Sequence, residues 1–361
     1  MLRASAAAAA GAAVTAGWTS TASATARAGG YAAEEEALAE LYAAAKAEGG
    51  NLVWYNGGDG KEQGSDTVER FQARFPGMRV TKLTDYSKYH ETRLDLQFAA
   101  RKVEADVTSL QNVHSFPRWK REGRLLQYKP LGWRSVPAHI KDPDGFFTAT
   151  TVLSFSNVVN TNVIPAASAP RDPKDYLDPS LKGRLVFSYP TDDEAILLAW
   201  KYMIDQSGMG LGYMEALMRQ DPLIVRGTGA MNNALMSGQR AASFSNIWSR
   251  TPLAGLVWQA PARSRFMTWG QPSAILKAAT HPAAAKLFVS WSLSLAEQAT
   301  AFQWPARRDV ATSGPFADLS QLNTDQHDFI DWQSDRAEIE KFRLQLEYFV
   351  GTPQGPNPAM T

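Results

Sequence analysis

The polar residues that most suggest chemistry follow the first predicted strand, in a turn rich in glycine. The apolar run Leu52–Tyr55 leads directly into Asn56, Gly57, Gly58, Asp59 and Gly60. Glycine lets the backbone approach a ligand closely, and Asn56 and Asp59 would add polar contacts. An ordinary tight turn explains the same residues equally well. The pattern therefore indicates a candidate binding turn and leaves the structural interpretation open.

Two adjacent carboxylates, Asp192 and Asp193, stand at the start of a predicted helix over residues 192–205. A helix start attracts anions, but two carboxylates there would repel an anion and suit a cation such as a protonated amine. Thr191 and Glu194 also have the spacing of a capping box, in which acids simply stabilise the first turn. Both interpretations can hold together, because such a cap would leave Asp192 and Asp193 available.

Further candidate ligand contacts lie just after other predicted strands. They are Gln111, Asn112, Thr228, Asn246, Trp248 and Trp269. A tryptophan can stack on a planar or cationic ligand, and Trp269 could form a wall together with Tyr55. Simpler roles fit the same residues, since Thr228 could cap a helix and Trp248 could pack in a core.

These side chains are positioned by alternating strands and helices. Strands are predicted near residues 52–55, 78–80, 105–110, 185–189, 223–225 and 241–244, with a β-rich stretch over 146–159. Helical patterns separate many of them, and Pro76-Gly77 ends the first. In open α/β sheets, ligands bind at the carboxyl ends of strands. The candidate residues therefore occupy the positions that such a fold reserves for a site.

The composition narrows the class of protein. The chain has 361 residues, of which 44% are hydrophobic and 20% charged, and its net charge is +1. It is therefore globular and long enough for two domains, and it carries no basic run that would indicate nucleic-acid binding. Because cysteine is absent, disulfides, thiol catalysis, thiolate metal sites and a lipid-modified cysteine anchor are excluded. No histidine pair has metal-ligand spacing, and no cofactor is predicted.

The two ends of the sequence differ from the rest. Residues 1–24 combine Arg3, an alanine-rich stretch and a small-residue cleavage pattern at Ala22-Ser23-Ala24, which predicts a signal peptide. The lack of acids before Glu34 keeps an organellar transit peptide open. No segment is predicted to cross a membrane. A long amphipathic helical region is expected over residues 324–349, and the Pro/Gly-rich residues 351–361 are expected to be a disordered tail.

The order of these landmarks resembles the extracellular solute-binding proteins with the type II periplasmic-binding fold. Within this family, the chain is most similar to the class that contains binders of ferric iron, phosphonate, thiamine and polyamines. The segments that carry the resemblance include LVWYNGG, ARFPGMRV, ADVTSLQN, DYLDPSLKGRLVFSYPT and HPAAAKLFVSWSLS. The resemblance spans about residues 50–310.

This family implies two lobes with a ligand cleft between them, each lobe an open, mainly parallel sheet flanked by helices. Residues 50–153 and 267–310 would form lobe one, and residues 154–266 would form lobe two. Residues 311–350 would supply C-terminal helices that pack on the lobes. Ligand binding would close the lobes by a hinge.

One departure from the ferric-binding relatives concerns the ligand. In those relatives the first turn and the loop after ADV can offer metal ligands, and here those positions hold Asp59 and Gln111. Their adjacent tyrosine pair is replaced by Asn246-Ile247-Trp248. Ferric iron prefers anionic oxygen donors, so the sequence argues against bare ferric iron.

The sequence therefore predicts a secreted or periplasmic monomer, not an enzyme, that closes on a small polar or cationic organic ligand. A bacterial source would add the permease of an ABC importer as a partner. The chain matches neither G-x-S-x-G nor the P-loop pattern. An enzyme or a secreted interaction protein on the same fold remains the alternative.

Overall fold

The computed structural model describes residues 13–247, 253–300, 304–312 and 317–360, with side chains from residue 29 onward. The strands are β1 (Asn51–Gly57), β2 (Arg79–Asp85), β3 (Val107–Ser109), β4 (Thr148–Asn160), β5 (Val186–Ser188), β6 (Leu223–Val225), β7 (Ala242–Ile247), β8 (Leu256–Gln259) and β9 (Met267–Ile275). The helices are α1 (Ala13–Ala47), α2 (Ser65–Arg74), α3 (Ser87–Ala99), α4 (Ser115–Arg121), α5 (Glu194–Ser207), α6 (Gly212–Met218), α7 (Gly227–Met236), α8 (Pro282–Ser292), α9 (Leu295–Gln298), α10 (His327–Ser334) and α11 (Arg336–Val350).

A seven-stranded sheet organises the molecule, in the order β2-β1-β3-β9-β4-β7, with β8 also paired to β4. β1 pairs in parallel with β2 and β3, as expected for a β-turn-α-β start. β9 is antiparallel to β3 and β4, so the sheet is mixed. β5 and β6 form a parallel pair, which the bridge Leu185–Ala242 joins to β7.

β4 is the long strand that connects the two halves of the fold. Its first half pairs with β9 from Thr148 to Phe155, and its second half pairs with β7 and β8. The predicted crossing points near Ser154 and Met267 lie in this paired region. The exact lobe boundaries stay a prediction, but the two-lobe α/β fold agrees with the architecture.

Each half has its own aromatic core. In lobe one, Phe71 lies about 5 Å by ring centroids from Phe75, Phe288 and Trp291. In lobe two, Phe187 packs 4.3 Å from Phe244, with Trp200 against both rings. Many of the eleven tryptophans are therefore core residues, as their apolar rings favour.

The C-terminal helices belong to the lobe-two core. Phe329 of α10 and Ile339, Phe342 and Leu346 of α11 lie in the same buried cluster as Trp200. The predicted continuous helical region is divided into two helices at Asp335, whose side chain accepts a hydrogen bond from the N–H of Glu338 and caps α11.

Residues 351–360 differ from the disordered tail that the sequence predicted. They form an irregular segment with bends and a turn, in which Ala359 is buried and Asn357 donates a hydrogen bond to Asp85. The Pro/Gly composition that suggested disorder also suits an irregular segment held by contacts from outside itself.

Residues 1–12 of the predicted signal peptide lie outside the described residues, and residues 13–24 fall within α1. Among the helices that the structure describes, none combines the length and the apolarity that a membrane span requires.

Candidate ligand-binding cleft

A cavity of about 530 Å³ lies between the two halves of the fold. Eight of the predicted site residues line it, namely Asn56, Gly57, Gly58, Asp59, Gln111, Asp193, Thr228 and Trp269. Its size is typical of a small-molecule site. The structure therefore brings together residues from β1, from the loop after β3, from the starts of α5 and α7 and from β9.

The glycines of the turn after β1 are closely packed. A Cβ on Gly57 would meet the Ser87 hydroxyl, and one on Gly58 would meet Oε1 of Gln63 and lie 3.0 Å from Cγ2 of Thr84. The Gln63 side chain organises the turn, because its Oε1 accepts the N–H of Asp59 at 2.6 Å and its Nε2 donates to Oδ1 of Asp59 at 2.8 Å. The glycine pattern therefore reflects a tightly packed turn at the cleft wall.

Asp59 joins the two lobes. Its Oδ2 accepts the backbone N–H of Thr228 at 2.8 Å, and its Oδ1 accepts the Thr228 hydroxyl at 2.9 Å. Thr228 lies in the first turn of α7, where backbone N–H groups lack intrahelical partners. Burial raises the pKa of Asp59, although these hydrogen bonds oppose the rise. Asp59 thus caps a helix of the opposite lobe, a role that the sequence did not predict for either residue.

Asp192, a predicted cation contact, already has cationic and hydrogen-bonding partners within the protein. Both carboxylate oxygens face Arg226, whose Nε and Nη2 donate at 3.0 and 2.9 Å, and Tyr86 of lobe one donates to Oδ2 at 3.2 Å. Hydrogen bonding to Asp192 raises the pKa of Arg226. Only 1% of the Asp192 side chain is exposed, so its charge is already matched within the protein.

The predicted capping box at Thr191 and Glu194 is also absent. The cap of α5 is Asp193, whose Oδ1 accepts the N–H of Ala195 at 2.8 Å. Glu194 instead forms a two-point ion pair with Arg336 of α11. Burial raises the pKa of Asp193 to about 7, helped by the charge of Asp59. Asp193 therefore keeps a place on the cavity wall while it caps α5.

Two cavity-lining side chains keep hydrogen-bonding capacity for a ligand. Within the described part of the chain, the side-chain amides of Gln111 and Gln271 form no hydrogen bond, and both residues line the cavity. Nε1 of Trp269 also lacks a partner there, but that atom is buried and does not face the cavity. Gln111 and Gln271 are therefore the polar side chains that an occupant of the cavity could bond.

Gln271 was missed in the sequence, although a signal was present. Trp269, Gln271 and Ser273 alternate along β9, and all three line the cavity. Side chains two residues apart share one face of a strand. Because Trp269 was already a candidate, the alternation of side chains along a strand would have added Gln271 and Ser273 as candidates.

The remaining predicted residues lie elsewhere. Asn112 donates to Glu91 at 2.7 Å in a neighbouring cavity of about 270 Å³, which Asp192 also lines. Asn246 is buried and donates to Asn232 at 2.8 Å, so it braces β7 against α7 instead of lining the cleft. Trp248 lies outside the described residues.

The cavity wall is rich in carboxylates. Asp59, Glu62, Asp66, Asp193 and Glu297 line it, while the basic residue of the described wall is Arg70. Arg70 is paired with Asp66 at 2.7 Å and Glu297 at 2.8 Å. The described residues form no group of three or more His, Asp or Glu that could hold a metal ion, and no tyrosine is among the described lining residues.

Comparisons with known proteins agree with this architecture. Residues 103–220 match the family model of bacterial extracellular solute-binding proteins. No curated protein matches the chain in sequence.

Several solved structures share the fold. Iron-bound HitA from Pseudomonas aeruginosa is 18% identical with a TM-score of 0.64, over 82% of this chain and 99% of its own. AfuA from Actinobacillus pleuropneumoniae, with fructose-6-phosphate bound, is 17% identical with a TM-score of 0.67, over 83% and 98%. A substrate-binding protein of an ABC transporter from Agrobacterium tumefaciens is 14% identical with a TM-score of 0.66, over 82% and 94%. The predicted type II periplasmic-binding fold is thereby confirmed.

Proposed function

We propose that the protein is a solute-binding protein of the ABC-transporter type that closes on a small polar organic ligand. The observation that carries the proposal is the pair of amide side chains on the cavity wall, Gln111 and Gln271, which form no hydrogen bond within the described residues. Amide side chains can both donate and accept. They suit hydroxyl, amide or amine groups better than they suit a bare metal ion.

The charges of the cavity favour a ligand that carries a cationic group. Arg70 already matches two carboxylates, and Asp59 is held by Thr228 and Gln63. Asp193 remains as a lining carboxylate whose described side-chain bond is a single cap contact. An ammonium group beside Asp193 would gain a charge-assisted hydrogen bond, whereas a second anion there would be repelled.

The aromatic wall supplies the apolar part of such a site. Trp269 stacks on Phe155 with ring centroids 5.5 Å apart, and both residues line the cavity together with Trp54 and Phe288. Ring faces attract cations and cover flat apolar groups.

The cellular role proposed here follows from the family match. A secreted or periplasmic binding protein would capture its ligand and hand the closed form to an ABC permease, without a chemical step. We infer a monomer for this role, and no nucleic acid is among its proposed partners.

The test is a thermal-shift screen of the protein from Tyr31 onward. The panel holds spermidine, thiamine, choline, fructose-6-phosphate, 2-aminoethylphosphonate and ferric citrate. A ligand that binds the folded state raises the melting midpoint with its concentration. A shift with an amine supports the proposal. A shift with ferric citrate or fructose-6-phosphate alone would contradict the cationic ligand class.

Cavity variants then connect any hit to the site. Gln111→Ala and Gln271→Ala should each weaken binding of the shifting compound about fivefold, the effect of one ordinary hydrogen bond. Gln239→Ala is the matched control, because Gln239 is exposed in the turn after α7. Equal affinities in all three variants would show that the compound binds outside this cleft.

A further inference from the structure

The segment from residue 351 to residue 360, called the strap below, contacts both lobes. The carbonyl of Gly355 accepts a hydrogen bond from Nη1 of Arg226 at 3.0 Å, on the lobe-two side. Nδ2 of Asn357 donates to Oδ1 of Asp85 at 2.8 Å, on the lobe-one side. Two residues of one segment are therefore bound to opposite sides of the cleft.

The two anchors are already part of the contact between the lobes. Arg226 is the ion-pair partner of Asp192, and its guanidinium lies 5.6 Å from the ring centre of Tyr86 in lobe one. Asp85 immediately precedes Tyr86 and accepts the N–H of that residue. The strap thus crosses the seam where Tyr86, Arg226 and Asp192 meet.

A third contact places the strap beside the Asp59 bridge. A Cβ on Gly227 would lie 2.7 Å from the carbonyl oxygen of Asp59 and 2.9 Å from Cγ of Pro358. Gly227 has φ of +76°, where glycine is favoured, and it opens α7 next to Thr228. Pro358 therefore packs against the point at which lobe one caps a helix of lobe two.

The composition of the strap suits this position. Pro353, Pro356 and Pro358 restrict the backbone before it docks, so less conformational entropy is lost on ordering. Ala359 is buried beyond the second anchor, which fixes the far end of the segment.

We propose that the strap is a clasp that spans the seam between the lobes and holds them in the closed arrangement. Opening the cleft would separate Asp85 from Arg226, so at least one strap contact must break when the lobes move apart. The clasp itself rests on these contacts alone, and its consequence, slower ligand entry and release, rests on the proposed function.

The lack of cysteine allows a direct measurement. Glu69→Cys on α2 and Asn233→Cys on α7 are exposed positions in opposite lobes. Spin labels at both sites report the distribution of lobe separations by pulsed dipolar spectroscopy, without any ligand. The pair is compared in the full chain and in a chain that ends at Gly351.

We expect the longer-distance population to be larger in the shortened chain than in the full chain. Asn357→Ala should raise the ratio of open to closed molecules about fivefold, because one hydrogen bond to Asp85 is lost. Gln354→Ala is the matched control, since among the described residues the Gln354 side chain bonds only Thr352, within the strap. It should leave the distribution unchanged.

Identical distributions in the full chain, the shortened chain and Asn357→Ala would overturn the clasp. If the shortened chain fails to fold, the comparison of Asn357→Ala with Gln354→Ala decides the matter alone. A failed clasp with a positive thermal-shift screen would leave the binding function standing. A working clasp with a silent screen would refute the ligand class and keep the clasp.

Discussion

Asp193 has two roles that favour opposite protonation states of its side chain. It caps α5 through Ala195, and it lines a cavity in which Asp59 adds a second negative charge. A cap favours the carboxylate form, while burial favours the neutral acid and raises the pKa to about 7. A cationic ligand would restore the charged form, so binding and proton release are coupled at this residue.

This raised pKa predicts how stability varies with pH. Between pH 3.8 and about 7, folded Asp193 holds a proton that the unfolded chain has released. The contribution of Asp193 to stability is therefore fully present below pH 4 and is lost as the pH rises to 7, by at most ~4 kcal/mol. Asp193→Asn keeps the cap and should remove this slope in urea unfolding measured from pH 4 to 8.

Comparison with Asp193→Asn isolates the effect of Asp193 from that of groups whose contribution to stability increases as the pH rises. Glu91 has a pKa lowered to about 2, against the effect of burial, by hydrogen bonds from His114, Ser115 and Asn112, and it is present in both proteins. Parallel stability curves for the two proteins would contradict the assignment to Asp193.

At the scale of elements, the alternating pattern made much of the fold predictable. β1, α2, β2, β3, β5, β6 and β7 lie close to the segments expected from apolar runs and turn residues. Local patterns cannot show which strands pair, and the antiparallel insertion of β9 between β3 and β4 depends on residues far apart in sequence. The family resemblance supplied the two crossing points near Ser154 and Met267, but not this strand order.

The site was less predictable for a related reason. Asp59 and Asp192 were recognised as acids beside a cleft, but their partners Thr228, Arg226 and Tyr86 come from distant segments. Whether a carboxylate is free for a ligand depends on such partners, which spacing does not reveal. Asp193 stayed on the wall because its cap is local and uses one oxygen.

The β4–β9 crossing has a tight point that can be tested. A Cβ on Gly270 would lie 2.8 Å from Cβ of Ala149 and 2.8 Å from Cβ of Ile140. Gly270→Ala should therefore lower the free energy of unfolding by about 1–3 kcal/mol, the usual cost of overpacking. Chemical denaturation followed by tryptophan fluorescence measures this change.

Gly229 provides the matched control for Gly270. It lies in the first turn of α7, and an added Cβ would meet nothing within 4 Å. Gly229→Ala should be neutral or stabilising by up to about 1 kcal/mol, since alanine favours a helix. If Gly229→Ala lowered the free energy of unfolding as much as Gly270→Ala, packing at the β4–β9 crossing would not be the cause of the destabilisation.

At the scale of the whole molecule, contacts at several places hold the two lobes together. Asp59 meets Thr228, and Tyr86 meets Asp192. Gln333 of α10 donates to the carbonyl of Gln111 and accepts the N–H of His114. Since Gln111 also lines the cavity, the C-terminal helices brace the loop that presents a proposed ligand contact.

The amide of Thr228 is a natural reporter of lobe opening. A first-turn N–H has no partner within its own helix, and here its acceptor is Oδ2 of Asp59 in the opposite lobe, at 2.8 Å. Exchange of this amide with deuterium must therefore wait for the lobes to separate locally. Asp59→Ala should speed exchange in the peptide that contains Thr228 by tenfold or more, as measured by mass spectrometry.

Asp66→Ala is the control for that experiment, because Asp66 is an exposed carboxylate of the same lobe that pairs with Arg70 within α2. In the Asp66→Ala variant, the Thr228 amide should exchange with deuterium at the same rate as in the parent protein. Exchange at Thr228 that is already as fast as in an unstructured peptide would mean that the Asp59 contact does not persist in solution. Slow exchange that Asp59→Ala abolishes would show instead that lobe one itself caps α7, and that opening the cleft costs this bond each time a ligand enters.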